Sequence, residues 1–537
     1  MRSAISRKRD ALAYLHVSFS RRSVFGPMAI GVYAMLMVVA PRPTAAQQQT
    51  WTGNTSNDWL VGSNWSGGRV PTTGRAGDVF INTTSPNATV IGASGAVTAT
   101  SGVVHMGNFS GTSSELTIQN GSTLTSSDNG RIGQVAGANS KVTVTGAGST
   151  WTINSTRFSP TIAFVVGNAG TGTLNISNGG SVVTTNGGYF YIAQGATSSG
   201  TLNVTSGGVL ITDGEGYVGD LGIGTATISG TNSLWNVGQQ LTVGSSGAGT
   251  LTVADEGRVE VGGNLVIANN AGSTGTLNIG AAPGDPAKAP GIVETSAIQF
   301  GAGTGAINFN HTSTRYVFTP IMSGDGAVNQ IAGTTILPGE HSYTGPTTIS
   351  GGTLAVNGSI TSDVTVQSGG TLAGIGMISA GVVNRGTVAP GNSIGTLTVT
   401  GNYVGSGGRL EIESVLAGNA SPTDQLVLDG GSARGRTGVQ VINLNGPGGV
   451  TSGNGIPVVV AQNGATTSAS AFSLTGPVAA GPYQYVLRRG SGSPAEAQSW
   501  YLASHVQGSD NGGGHGGPLI PLYRPETSAY AVLPAMA

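Results

Sequence analysis

Histidines, carboxylates, one serine and a set of tryptophans are the residues of this chain whose types could do chemistry. The six histidines, His16, His105, His311, His341, His505 and His515, are scattered. No pair has the i, i+4 spacing by which H-E-x-x-H points two ring nitrogens at one metal from a helix face. They read as surface histidines in loops. Ser393, in Pro390-Gly391-Asn392-Ser393, lacks the G-x-S-x-G setting that exposes a serine nucleophile on a strained elbow. It reads as a tight turn between structural repeats.

Carboxylate pairs matter because glycosidases need two, about 5–10 Å apart across a sugar cleft. Glu411 and Glu413 are two apart on an expected strand and share one face; Asp213 with Glu215, and Asp255 with Glu256, fall in turns. Acids are sparse and no three cluster, so these read as solvated surface groups. The run Gly508-Ser509-Asp510-Asn511-Gly512-Gly513-Gly514-His515 has the look of a calcium nonapeptide, a motif that works only in tandem array. It occurs once and reads as a linker. The expectation is a chain with no catalytic residue, no cofactor-binding residue, no metal ligand and no cofactor.

Trp51, Trp59 and Trp65 could form a sugar-stacking platform, but bulky residues are also what covers the open end of a repeat array. The cap is the favoured reading. Trp151 and Trp235 recur at matching places in the repeats and are expected to plug the interior. The Asn-x-Ser/Thr sites at Asn64, Asn87 and Asn108 reflect an Asn/Thr-rich composition rather than glycosylation.

These residues sit in 537 that include 92 glycines, no cysteine and only three lysines. Absent cysteine excludes disulfide scaffolds and thiolate metal sites, and sparse Lys/Arg disfavours nucleic acid as a partner. The charge is split. Residues 1–46 carry seven basic side chains and one acid, so that of 22 basic and 23 acidic residues overall, 15 and 22 remain beyond Ala46, a net of −7. A basic stretch, an apolar run from Val24 to Ala40 and small residues at Thr44 and Ala46 make residues 1–46 a signal peptide, with a mature start near Gln47.

The body repeats. Gly-Thr-Leu-x-Ile/Val begins at Gly172, Gly200, Gly249 and Gly275, with a weaker copy at Gly224. An apolar residue before Gly or Ala marks the same units at Val166-Gly167, Ile192-Ala193, Val218-Gly219, Val243-Gly244 and Ile267-Ala268. Both markers recur every ~25 residues and drift in step, which points to stacked units. Within a unit the alternation has period two, as in Leu174-Asn175-Ile176, and turn residues such as Asn178-Gly179 separate the runs. Three short strands and three turns per unit make one coil of a right-handed parallel β-helix. Leu174, Leu202, Leu251 and Leu277 should form one interior column, and Ile176, Val204, Val253 and Ile279 the next. Asn and Thr should ladder outside. Roughly eighteen coils at ~4.8 Å would span on the order of 90 Å.

Several segments resemble the passenger region of bacterial autotransporters, proteins of type V secretion. Residues 111–280 resemble a repeat of bacterial surface proteins. SYTGPTTISGGTLAVNGSI (342–360) and SGGTLAGIGMISAGVVNRGTVAPGNSIGTLTVTGNYV (368–404) are similar to the passenger-associated transport repeat; 482–502 and 523–537 resemble the pertactin-like passenger end and the entry to the translocator. The resemblance implies seven segments. They are a signal (1–46), a cap with first coils (47–110), repeat β-helix (111–280), its continuation (281–341), a transport-repeat, autochaperone-like part (342–480), the passenger end (481–507), and a Gly/Pro-rich linker (508–537). It also implies an outer-membrane translocator barrel as partner, not contained in these 537 residues, and a cell-surface or extracellular location. The expected role is non-catalytic adhesion to a host or matrix surface ligand. The alternative is a secreted carbohydrate-active enzyme on the same scaffold.

Overall fold

The computed structural model describes residues 48–74, 77–154, 162–507 and 519–524. The expected signal 1–46, His16, His515, the run 508–515 and most of the expected linker lie outside them.

Three strands and three turns make a coil, and each strand pairs in parallel with its counterpart one coil on. Taking the unit at Gly172, Thr171–Ser177 lies on a first face, Ser181–Thr185 on a second and Tyr189–Ile192 on a third. This is the parallel β-helix expected. Leu174 stands opposite Leu202, followed by Ala226, Leu251 and Leu277, while Ile176, Val204, Ile228, Val253 and Ile279 align beside them. All ten are at most 1% exposed. A fully buried aliphatic side chain contributes about 1.5–3 kcal/mol, so these columns hold the stack together.

Outside, Asn203 Nδ2 donates to Asn175 Oδ1 at 2.9 Å, Asn308 to Asn278 at 2.8 Å and Asn329 to Asn308 at 2.9 Å. Asn278 and Asn308 are nevertheless buried. Residues 281–290 fold back beside them: Asn310 Nδ2 donates to the carbonyls of Ala282 and Asp285. Trp151 and Trp235 fill the interior, their indole N–H groups donating to Ser126 Oγ at 2.9 Å and Thr212 Oγ1 at 3.2 Å. A buried indole needs such an acceptor.

The period is not uniform. Leu174 and Leu202 are 28 residues apart in register, whereas His341 and Ile360 are 19 apart and Ile360 and Ile378 are 18. The coils shorten because a turn is lost: Thr347–Val356 is one long strand whose two halves pair separately with Val328–Gln330 and Thr334–Leu337.

Both ends of the strand stack are covered. At the first, Trp59 N donates to Val90 O and Val90 N to Asn57 O, satisfying the edge of Thr89–Ile91. At the other, Tyr483–Arg489 and Trp500–Ala503 turn antiparallel and close over Ile456–Gln462. Unpaired edges would otherwise template association.

Candidate interaction surface

Placing the histidines corrects their reading as surface loop residues. His311, His341 and His505 are at most 1% exposed, and His105 is half-buried on Val104–Met106 with its ring stacked 4.7 Å from that of Phe80. His341 is inward because Glu340–Tyr343 alternates, sending His341 and Tyr343 to the core. That period-two signal was legible in the chain. Desolvation pushes the pKa of both His311 and His341 down to about 4. His311 Nε2 meets Thr335 Oγ1 at 2.9 Å, and His341 Nδ1 accepts from the Met322 amide at 3.2 Å. His505 Nδ1 meets Thr451 Oγ1 and its Nε2 lies 2.9 Å from Arg488 Nη2. Among the described residues, no three or more His, Asp or Glu side chains could hold a metal ion together.

Ser393, Glu411 and Glu413 are brought together, with Asp424, around a cavity of about 140 Å³. Ser393 is in a turn with φ +78°, a left-handed conformation costly for a side-chain-bearing residue. Asp424 holds the turn in place: Oδ1 accepts from the Gly395 amide and Oδ2 from the Glu413 amide, both at 2.8 Å. Desolvation still raises its pKa. Among the described residues no histidine lines this cavity to act as base for the serine. Asp255 and Glu256 form a turn with φ +51° and +67°, and accept from Ser229 and Thr231.

The three N-terminal tryptophans cannot serve as a sugar platform, because Trp51, Trp59 and Trp65 are at most 2% exposed. They pack edge to face with one another, at centroid distances of 5.1 and 4.7 Å. Asn64 beside them is fully buried, its side chain bonding the amides of Thr55 and Ser56 and the carbonyl of Asp58.

Two outward features stand out. The first is an open cleft of about 460 Å³ lined by Thr84, Ser113, Ser114, Glu115, Asn139, Lys141 and Thr173, with a Glu115–Lys141 ion pair of 2.8 Å. The second is an aromatic patch on the third face. Tyr191 and Tyr217 pair in register, so their rings stack at 4.7 Å and 5°. Tyr189, two residues before Tyr191, leans on both at 6.4 Å. The Tyr217 hydroxyl donates to Glu215, and Ser245 beside Asp220 favours its charged form. Desolvation, then the carboxylates of Asp220 and Glu215, push the Tyr191 pKa up to about 12. Desolvation and the Glu215 bond raise that of Tyr217 as well. Desolvation also raises the pKa of Asp220. Sequence reasoning saw Glu215 only as a turn acid and missed the tyrosines. The signal was the aligned pair of units GGYFYIA and GEGYVG, whose tyrosines fall on one outward column.

The autochaperone domain type 1 family matches residues 383–487, and the passenger-associated transport repeat family matches residues 332–356. The chain is 32% identical over 336 residues to the adhesin BmaC autotransporter of Brucella suis biovar 1 (strain 1330), covering 57% of this chain and 9% of that protein. It is 36% identical over 143 residues to the autotransporter adhesin AIDA-I of Escherichia coli, covering 26% and 10%. It is also 40% identical over 80 residues to the extracellular serine protease of Serratia marcescens, covering 14% and 8%. In each of the three the chain spans about a tenth of the relative's length or less. The chain carries an autotransporter passenger domain.

Proposed function

We propose that this passenger domain is a non-catalytic adhesive solenoid, exported and held at the cell surface or released outside it, which meets a host or matrix ligand through its outward faces. An outer-membrane translocator barrel is its export partner. The observation that carries the reading is the order of parts. A ladder of parallel coils precedes segments matching a transport repeat at 332–356 and an autochaperone domain at 383–487. Such a stack presents long regular faces and needs no distant nucleus to fold. Two relatives are named adhesins. The test is protease shaving of intact cells expressing the native locus, with an antibody to residues 150–280, followed by adhesion assays. Surface exposure with adhesion lost on shaving is expected; a product confined to the periplasm would overturn the reading.

A polysaccharide-cleaving activity is the rival, favoured by the meeting of Glu411, Glu413 and Asp424. Against it, both Asp424 oxygens are engaged by backbone amides and the cavity is small for a sugar ring. Release of reducing ends that falls in the Glu411→Gln variant would support the rival.

A further inference from the structure

We infer that the tyrosine patch on the third face, Tyr189, Tyr191 and Tyr217 with Glu215 and Asp220, is a docking site for a basic protein segment, its Lys or Arg side chains held by ring and carboxylate together. This rests on the adhesive reading and names the chemistry of the partner.

Charge complementarity is the first argument. From Ile162 to Gly257 the chain has no lysine, arginine or histidine, yet it has five acids: Asp213, Glu215, Asp220, Asp255 and Glu256. Two of them act on the tyrosines. Among the described residues neither has an ion-pair partner; Glu215 is bonded by a tyrosine hydroxyl. Among the described residues negative charge is therefore concentrated here without a counter-cation, a field that attracts cations and repels anionic ligands. In the register of Tyr191 the nearest cation among the described residues is Arg131, two coils before it with the buried Val165 between.

The aromatic rings supply the second argument. A cation over a tyrosine ring is drawn by the negative face of the ring, in addition to its ion pair. Guanidinium also forms charge-assisted bonds to carboxylate. Lys and Arg carry long apolar stems, and Leu221 and Ile223, just beyond Asp220, are 50% and 63% exposed. A neutral sugar would satisfy the hydroxyl network but would leave the charge of Glu215 and Asp220 uncompensated.

The test uses the full chain and a fluorescent peptide with arginines at alternate positions in a Ser/Gly background, beside neutral and acidic peptides of equal length. Saturable binding of the basic peptide alone is expected, weakening between about 0.05 and 0.3 M salt as screening grows. The double variant Glu215→Gln/Asp220→Asn and the single variant Tyr217→Ala should each lose about tenfold in affinity or more. Asp255→Asn, an acid in a separate turn, should lose nothing. Circular dichroism and urea midpoints show that each variant is folded, and Tyr217→Phe keeps the ring should Tyr217→Ala fail to fold. Equal binding of basic and neutral peptides, or unchanged affinity in the double variant, would overturn the inference. So would binding of a neutral oligosaccharide in place of the peptide. Adhesion by cells displaying these variants is scored separately: adhesion that persists without peptide binding sinks the inference and leaves the adhesive reading standing.

Discussion

The Cβ that Gly200 lacks would stand 2.6 Å from the amide nitrogen of Ala193, seven residues earlier on the same coil. Ala193 itself has φ +58°. The contact recurs at Gly172 with Gly167, Gly224 with Gly219, Gly249 with Gly244 and Gly275 with Ala268, at 2.2–2.5 Å. The two repeat markers drift together along the chain because they touch. Gly249 is also hemmed in by the Val218 carbonyl at 2.2 Å, so no flexible side chain can yield. Gly249→Ala should therefore lower stability by about 1–3 kcal/mol, the usual cost of overpacking. Thr250→Ala, outward on the same strand, should cost under about 0.5 kcal/mol. Urea unfolding of the two variants checks this, and equal midpoints would remove the steric account.

Trp235 gives a cavity prediction. It is fully buried, lies edge-on to Phe190 at 5.9 Å, and bonds Thr212. Trp235→Ala should cost about 3–5 kcal/mol. Thr212→Val should cost about 1–3 kcal/mol, because it strands the indole N–H in the core. Thermal unfolding orders them, with Trp235→Ala the lower. The reverse order would mean that the coil collapses around the missing ring.

The buried histidines predict acid sensitivity. His341 has a folded pKa of about 4 against an ordinary value of 6.5, and His311 behaves alike. The unfolded chain therefore takes up these protons first as pH falls. Stability is full above about 6.5, declines toward 4 and levels off below it. Each histidine contributes a slope of up to about 1.4 kcal/mol per pH unit within that window. The urea midpoint should drop from pH 7 to pH 4.5, and less steeply in His341→Gln. An identical slope in the variant would assign the effect to carboxylates.

Much of this was readable in the chain because one physical signal dominated. Period-two alternation repeated every ~25 residues fixes which side chains face inward, so the Leu174 and Ile176 columns and the buried Trp151 and Trp235 followed directly. The same signal was under-read where the inward residue is polar: His341 and Tyr343 alternate as cleanly as Leu174 and Ile176. Shortened coils from 340 to 378 escaped because a turn there is replaced by a bent strand, which removes the punctuation that sets the period. The tyrosine patch and the meeting of Ser393 with Asp424 depend on neighbours one coil apart, at separations that vary with each turn.

Asn384 connects the fold to export. It is fully buried at the start of the autochaperone match, and its Nδ2 donates to the Tyr403 hydroxyl at 2.9 Å and the Arg409 carbonyl at 3.0 Å. Its Oδ1 accepts from the Gly386 amide, and Tyr403 reaches Thr437 Oγ1 at 3.3 Å, so one polar network ties three successive coils. Asn384→Leu keeps the volume but leaves these partners unpaired, at about 1–3 kcal/mol for each buried group that finds no water. In a stack each coil folds against its neighbour. If the body at 111–280 is templated from the autochaperone end, this change should slow the recovery of its protease resistance after dilution from urea. Gly249→Ala, within the body, should mainly hasten unfolding. Blotting a timed protease series with the antibody to residues 150–280 separates the two. Recovery at the wild-type rate in Asn384→Leu, once its lower equilibrium stability is measured, would mean that the repeat body nucleates its own folding.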